Sequence, residues 1–128
     1  MVYLTILAIE DDAGRMRLYH QLLPIVSPGT QLTGVDNVSN ALKAIRETRY
    51  DFYICDCDFP LVSHGENPQR EIIRGAFFDY IYTELIQLHP SANIEVCSHL
   101  EKNLERARGL GLSAHLKGKI SIRDLLVK

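Results

Sequence analysis

Short apolar runs alternate along this chain with segments whose apolar residues recur at helical spacing, and this alternation limits the fold more than any other feature. The predicted strands cover residues 2–9, 30–35, 52–57, 94–97 and 112–116. The predicted helices cover residues 13–23, ending before Pro24, about 39–48 with Ser39 as N-cap, about 76–88, 100–110, and a short segment from Ser121. Five strands that alternate with five helices predict parallel strands joined by right-handed crossovers.

At 128 residues the chain has the length of one domain, and we expect a single α/β domain over residues 1–128. The expected sheet is doubly wound, parallel and five-stranded. A flavodoxin-like strand order, 2-1-3-4-5, places strands one and three side by side at its centre. In such sheets the ligand site lies outside the carboxyl ends of the strands, at the switch point, so we expect the functional residues there.

Acidic residues follow the two strands that this order makes central neighbours. Asp11 and Asp12 follow the first strand, and Asp56 and Asp58 close the apolar run "YDFYICDCDFP". The cysteines on either side of Asp56 indicate a buried position, because free cysteine is among the most often buried residue types. Asp11, Asp12 and Asp56 are therefore expected to meet above the end of the sheet.

Carboxylates brought this close repel one another and raise one another's pKa unless a cation lies among them. Oxygen ligands without histidine favour a hard ion, and Mg²⁺ is usually held by one or two carboxylates plus water. An ionised aspartate beside Mg²⁺ can attack a phosphoryl group in line and form an aspartyl phosphate. Ser98 at the end of the fourth strand, and Lys117 and Lys119 after the fifth, supply the hydroxyl and the positive charge that this product needs.

With these features together, the chain resembles a response-regulator receiver domain of two-component signalling systems, similar to chemotaxis receivers. The run "ILAIEDD" is similar to the family's first strand with its acidic pair, and "YDFYICDCDFP" to the strand that carries the phosphoacceptor. The resemblance implies that Asp56 is the phosphoacceptor. It also implies that Asp11 and Asp12 bind Mg²⁺ alongside Asp56. Asp58, two residues after the acceptor, would offer its backbone carbonyl to the same ion.

The later strands carry the rest of the resemblance. "EVCS" places Ser98 at the family's switch serine or threonine, followed by His99 where the family usually has a small residue, so we expect His99 to narrow the access to the site. "HLKGK" resembles the family's ending of strand five and offers two lysines to pair with the phosphoryl charge. Lys117 is favoured if one residue is deleted before it, and Lys119 is the alternative if none is.

The resemblance implies a phosphorelay protein of the cytoplasm that is phosphorylated on Asp56 by a histidine kinase or phosphotransfer protein. Its output would go through protein contacts, with a downstream protein or a second copy of the chain, on the face of strands four and five. It implies no enzyme acting on a separate substrate, only Mg²⁺-dependent phosphoryl transfer to and from the chain itself. Three cysteines cannot all pair, which agrees with a reducing cytoplasm. A net charge of −2 does not indicate the basic surface that binds nucleic acid, and no apolar run is long enough for a membrane helix.

Other interpretations of the same residues stay open. Asp12 also suits the N-cap of the first helix. A degenerate receiver would bind its partners without phosphorylation. "ICDCDFP" also resembles the D-x-D strand end of haloacid-dehalogenase phosphatases, with Asp56 as nucleophile and Asp58 as general acid, although that family leaves the acidic residues of strand one unexplained.

Residues 61–74 are predicted to contain an insertion between the third strand and the third helix. Gly75 resembles the glycine that opens that helix in receivers, and it comes later than usual after the proline of "DCDFP". "QREIIR", which follows a proline, predicts a short helix within the insertion. We expect the insertion to fold over the site with Arg70 or Arg74 near the phosphoryl charge. The alternative is a solvated insertion far from the carboxylates.

Overall fold

The sheet and its order follow the predicted α/β plan. The computed structural model describes residues 4–63, 65–66 and 71–126. The five parallel strands are β1 (Thr5–Ile9), β2 (Gln31–Val35), β3 (Phe52–Cys55), β6 (Asn93–Ser98) and β7 (Ser113–Leu116). Two short antiparallel strands, β4 (Phe59–Pro60) and β5 (Ile72–Ile73), form a separate ladder. The sheet order is β2-β1-β3-β6-β7, which matches the predicted 2-1-3-4-5 once β4 and β5 are left out of the count.

Helices cover both faces of the sheet. They are α1 (Ala13–Val26), α2 (Val38–Glu47), α3 (Tyr82–Leu88), α4 (Glu101–Gly109) and α5 (Ile122–Leu125). A π-helical turn over Phe77–Ile81 leads directly into α3. Side chains of α1 and α5 share one apolar core, while those of α2, the π-helical turn, α3 and α4 share the other.

Strand β1 shows why the sheet is buried on both sides. Its residues Ile6, Leu7, Ala8 and Ile9 are all fully buried. Ile6 and Ala8 point into the core beneath α1 and α5, and Leu7 and Ile9 into the opposite core, as the two-residue period of a strand requires. A continuous apolar run is thus what a central parallel strand needs.

The first helix does not end before Pro24, as predicted, but continues through it to Val26. Proline removes one backbone donor, yet Tyr19 and Leu23 on the same helix are buried against the sheet, and this packing keeps the last turn helical. The backbone N–H of Ser27 then donates to the carbonyl of Leu23 and closes that turn.

The cap of α2 is also different from the prediction. Asn37, which is fully buried, accepts a hydrogen bond from the backbone N–H of Asn40 at 2.9 Å and is the N-cap. Ser39 lies inside the first turn instead, where its backbone N–H donates to the carbonyl of Leu61. The remaining predicted elements differ from the observed ones by a few residues at their ends, and residues 2 and 3 of the first strand lie outside the described residues.

The insertion contributes a strand where a short helix was predicted. Ile72 and Ile73 pair with Pro60 and Phe59 as β5 and β4, and β-branched residues such as isoleucine favour this extended backbone. We call this pair of strands the insertion hairpin. Gln69 and Arg70 of the predicted helix lie outside the described residues.

Across residues 4–63, 65–66 and 71–126, we find no helix with the length and apolar character that crossing a membrane requires.

Candidate active site

The ends of β1 and β3 bring three carboxylates to one point. Ile9 pairs with Cys55 in the parallel register, so the residues that follow them, Glu10 and Asp56, leave the sheet at the same level. The backbone N–H of Asp56 still donates to the carbonyl of Ile9 at 2.9 Å, which holds the two chain segments together. Carboxylate oxygens of Glu10, Asp11 and Asp56 all lie within 4.8 Å of one another.

Glu10 therefore takes the place beside Asp56 that we expected for Asp12. The carboxylate of Asp12 instead caps α1, accepting hydrogen bonds from the backbone N–H groups of Gly14 at 2.8 Å and Arg15 at 3.2 Å. These bonds, that from Arg15 first, lower the pKa of Asp12. Asp12 still lines the same cleft, but its charge is committed to the helix N-terminus. The sequence signal for Glu10 was its position directly after Ile9, the last residue of β1.

Lys117, and not Lys119, reaches the carboxylates. Its Nζ lies 2.6 Å from Oε1 of Glu10 and 3.0 Å from Oδ2 of Asp56, and its side chain is only 6% exposed. The backbone N–H of Lys117 donates to the carbonyl of Ser98, which continues the ladder between β6 and β7 up to the site. Gly118 has φ 81°, so the chain turns away immediately afterwards and leaves Lys119 exposed.

Burial and charge make Asp56 the unusual carboxylate of this group. Asp56 is 8% exposed, and its Oδ1 accepts a hydrogen bond from the backbone N–H of Cys57 at 2.7 Å. Burial first, and then the nearby charge of Glu10, raise the pKa of Asp56 to about 7, although the Lys117 ammonium opposes them. Burial acts against the charge of Lys117 too, but Asp56 and Glu10 outweigh it and raise the pKa of the lysine.

The carboxylates open into a cleft of about 310 Å³ at the end of the sheet. Ser98, at the end of β6, lies on its wall and is 1% exposed, while His99 beside it is exposed. The insertion hairpin contributes Ile72 to the rim, and Arg74 lies just after its second strand. The structure thus brings Ser98, His99 and Arg74 to the same cleft as Asp56.

Asp58 faces a different set of partners. Its Oδ1 accepts a hydrogen bond from the backbone N–H of Gly75 at 2.7 Å, and its Oδ2 lies 3.3 Å from the Arg74 guanidinium and 3.2 Å from Nδ2 of Asn103. Asn103 is 4% exposed and was not predicted. The available signal was helical spacing, because Asn103 falls beside Leu104 and Ala107 on the buried side of α4.

Comparison with solved structures identifies the architecture. The chain superimposes on a response regulator protein from Burkholderia pseudomallei, determined with a phosphorylated aspartic acid, calcium ion and citrate, with TM-score 0.69 and 19% identity, covering 96% of this chain but 64% of that one. A response regulator receiver domain protein from Clostridium thermocellum gives TM-score 0.69 and 20% identity over 95% of this chain and 87% of that one. The chain has the receiver fold.

A third receiver-fold structure was determined with a magnesium ion in its active site cleft. It is the receiver domain of a sensor histidine kinase from Pseudomonas aeruginosa, with TM-score 0.64, 19% identity and coverage of 98% of this chain and 92% of that one. No protein-family model matches the chain, and no curated protein matches it significantly. The receiver fold is therefore established by shape, and the chemistry of this chain depends on its own residues.

Proposed function

We propose that this chain is the phosphoacceptor of a two-component signalling system, phosphorylated on Asp56 with the help of Mg²⁺. The observation that carries the proposal is the cluster of the buried Asp56, Glu10 and Lys117 with the partly buried Asp11. Ordinary surface carboxylates remain solvated, whereas the carboxylates of Glu10, Asp11 and Asp56 meet at one strand end. Their repulsion and desolvation cost free energy, and such costly arrangements cluster at functional sites. The response regulator from Burkholderia pseudomallei, with its phosphorylated aspartic acid, supports the same chemistry by analogy.

The donor set fits a hard divalent cation. Oxygen atoms of Glu10, Asp11 and Asp56 lie within 4.8 Å of one another, and no histidine or cysteine is among them. We assign Asp11 and Asp56 as direct ligands and the backbone carbonyl of Asp58 as a further ligand. Glu10 takes the metal-site position that was expected for Asp12. When bound, Mg²⁺ supplies positive charge that favours the ionised form of Asp56 and offsets the charge of the phosphoryl group.

The chain's own groups then have distinct roles in the transfer. A carboxylate oxygen of Asp56 forms the new O–P bond while the bond from phosphorus to the donor breaks and its electron pair leaves with the donor. The Lys117 ammonium, 3.0 Å from Oδ2 of Asp56, is positioned to neutralise charge on the phosphoryl oxygens. The Ser98 hydroxyl, on the wall of the same cleft, is the group that donates a hydrogen bond to one of them.

The proposed donor is a histidine kinase or a phosphotransfer protein, and the proposed output is a protein contact on the face of β6 and β7, with a downstream protein or a second copy of the chain. No separate substrate is turned over. The phosphatase alternative needs Asp58 as a general acid, but its carboxylate is engaged by three donors, Arg74, Gly75 and Asn103. This geometry favours the receiver over the phosphatase.

We further propose that the insertion hairpin controls access to Asp56. Ile72 and Arg74 lie on the wall of the cleft, and the chain of β4 begins one residue after Asp58. A guanidinium at this rim is able to attract a phosphoryl donor and to exclude water from the product.

The test of the function is intact-mass measurement after incubation with Mg²⁺ and a small acyl-phosphate donor. The wild type gains one phosphoryl group, the gain disappears with a chelator, and Asp56→Asn gains none. Asp51→Asn, a matched loss of one carboxylate at the other end of β3, retains the gain. Undiminished labelling of Asp56→Asn would refute the assignment.

A further inference from the structure

A chain of hydrogen bonds leads from the cleft to α4. Nδ2 of Asn103 lies 3.0 Å from Oγ of Ser98 and 3.2 Å from Oδ2 of Asp58. The backbone N–H of Leu100 donates to the same Oγ at 3.1 Å. Both Ser98 and Asn103 are buried, at 1% and 4% exposure, so these bonds form away from competing water.

The chemistry of the three groups fixes the direction of every bond. The Asp58 carboxylate carries no donor in its ionised form, so it accepts from each of Gly75, Arg74 and Asn103, its partners among the described residues. An amide nitrogen carries two hydrogens and has no acceptor capacity. Once one hydrogen of Nδ2 points to Asp58, the other points to Ser98, and the orientation of the Asn103 amide is settled.

Ser98 is thereby forced to accept. Its oxygen takes hydrogen bonds from Asn103 and from the backbone N–H of Leu100, and these occupy both lone pairs. The single hydroxyl hydrogen of Ser98 is then the only group it has left to donate, and the open side of Ser98 is the cleft that holds Asp56.

We propose that Asp58 and Asn103 are positioning residues that preset the Ser98 hydroxyl as a donor toward the phosphoryl group. The proposal rests on the proposed function and extends it, because it assigns the Asp58 side chain and Asn103 roles separate from metal binding. Asn103 lies in the first turn of α4, and Asp58 also holds the backbone of Gly75 before the π-helical turn. A hydrogen bond from Ser98 to the phosphoryl group would therefore affect both α4, through Asn103, and the backbone at Gly75, through Asp58.

Exchange of the two partners tests the polarity of the relay. In the double variant Asp58→Asn with Asn103→Asp the net charge is unchanged, and the new asparagine can still donate to the new aspartate. The aspartate at 103, however, accepts from Ser98 and draws its hydrogen away from the cleft. We expect the melting temperature to stay within a few degrees of the wild type, while the rate of phosphorylation by a small acyl phosphate with Mg²⁺ falls about fivefold or more.

Two further variants separate positioning from packing. Ser98→Ala lowers the rate, and adding the exchange to Ser98→Ala lowers it no further, because the relay acts through that hydroxyl. Asn93→Asp is the matched control: Asn93 also donates its Nδ2 to an oxygen, the carbonyl of Asp51, but at the far end of β6, and its change leaves the rate unaltered.

A wild-type rate in the exchange variant, or an equal loss with and without Ser98, would overturn the relay while leaving phosphorylation of Asp56 intact. Absence of labelling in the wild type would overturn the proposed function and the relay with it.

Discussion

Strand β3 carries an aspartate at each end, and the two residues have opposite environments. Asp51 precedes the strand, is exposed, and its Oδ2 accepts hydrogen bonds from the backbone N–H of Thr5 at 2.8 Å and from its hydroxyl at 3.0 Å. Asp56 follows the strand, is buried, and shares its surroundings with Glu10 and Lys117. One carboxylate joins the starts of β1 and β3, and the other is held among charges at their ends.

Cavity size does not distinguish the two ends correctly. The cavity beside Asp51 measures about 570 Å³, against about 310 Å³ for the cleft of Asp56. The amino end is the larger hollow, but its carboxylate, Asp51, is exposed and accepts hydrogen bonds from Thr5. Buried charge at the carboxyl ends of the strands identifies the functional end, as expected for parallel α/β sheets.

The largest expected effect is an opposite change in stability when each aspartate becomes asparagine in the metal-free protein. Asp56 binds its proton up to about pH 7 in the folded chain but only to about pH 3.8 when unfolded. The stability gained from that proton is complete below the lower value and lost as the pH rises through the higher one. At pH 8, Asp56→Asn should therefore raise the free energy of unfolding by about 2 kcal/mol or more, given about 1.4 kcal/mol per pKa unit.

Asp51→Asn should lower the free energy of unfolding by about 1 kcal/mol, because it weakens the hydrogen bonds from Thr5 that join the starts of β1 and β3. Urea denaturation with a chelator at pH 4 and pH 8 measures both changes. A gain from Asp56→Asn that is as large at pH 4 as at pH 8 would show that the burial of charge is not its cause.

Binding of Mg²⁺ to the folded chain sharpens the comparison at the carboxyl end. At about 100 times the dissociation constant it should stabilise the protein by about 2.7 kcal/mol, since only the folded state presents the site. Asp11→Ala should abolish most of that gain. Asp12→Ala should keep most of it while lowering the metal-free stability by about 1 kcal/mol through loss of the helix cap. Melting curves with and without Mg²⁺ measure this gain for each variant. If Asp12→Ala lost the gain and Asp11→Ala kept it, Asp12 and not Asp11 would be the metal ligand.

The smallest effect is expected at the rim of the cleft. Arg74→Ala removes the guanidinium next to Asp58 and should change the lifetime of the Asp56 phosphoryl group about threefold, which corresponds to about 0.6 kcal/mol. Arg49→Ala, at the cavity of the amino end, is the matched control and should leave the lifetime unchanged. Identical lifetimes for both variants would mean that Arg74, directly after the insertion hairpin, does not control access to Asp56.

Sequence reasoning reached the residues that strand ends determine. Given the sheet order, the meeting of Asp56 and Ser98 follows from the strand pattern, because parallel strands end at a common edge. The preference for Lys117 over Lys119 came from the resemblance to receiver domains.

The predicted and the observed first strand both end at Ile9, so the strand pattern already placed Glu10 level with Asp56. The error came from taking Asp11 and Asp12 as the acidic pair.

The hydrophobic pattern of the sequence did not predict contacts between distant segments. Asn103 meets Asp58 across 45 residues, and its role depends on the rotation of α4 about its axis. The pairing of β4 with β5 likewise joins the residues just before the insertion to its last part, where local propensity favoured a helix for "QREIIR". Local sequence does not encode such long-range pairings.

The measurement that bears most directly on the account is the location of the phosphoryl group in the chain. Borohydride reduces an aspartyl phosphate to homoserine, so labelled protein can be reduced, digested and mapped by mass spectrometry. The account predicts homoserine at position 56 only, in the peptide that contains both Asp51 and Asp58, and only when Mg²⁺ was present. Homoserine at Asp51, Asp58 or Glu10's neighbour Asp11, with position 56 unchanged, would contradict it.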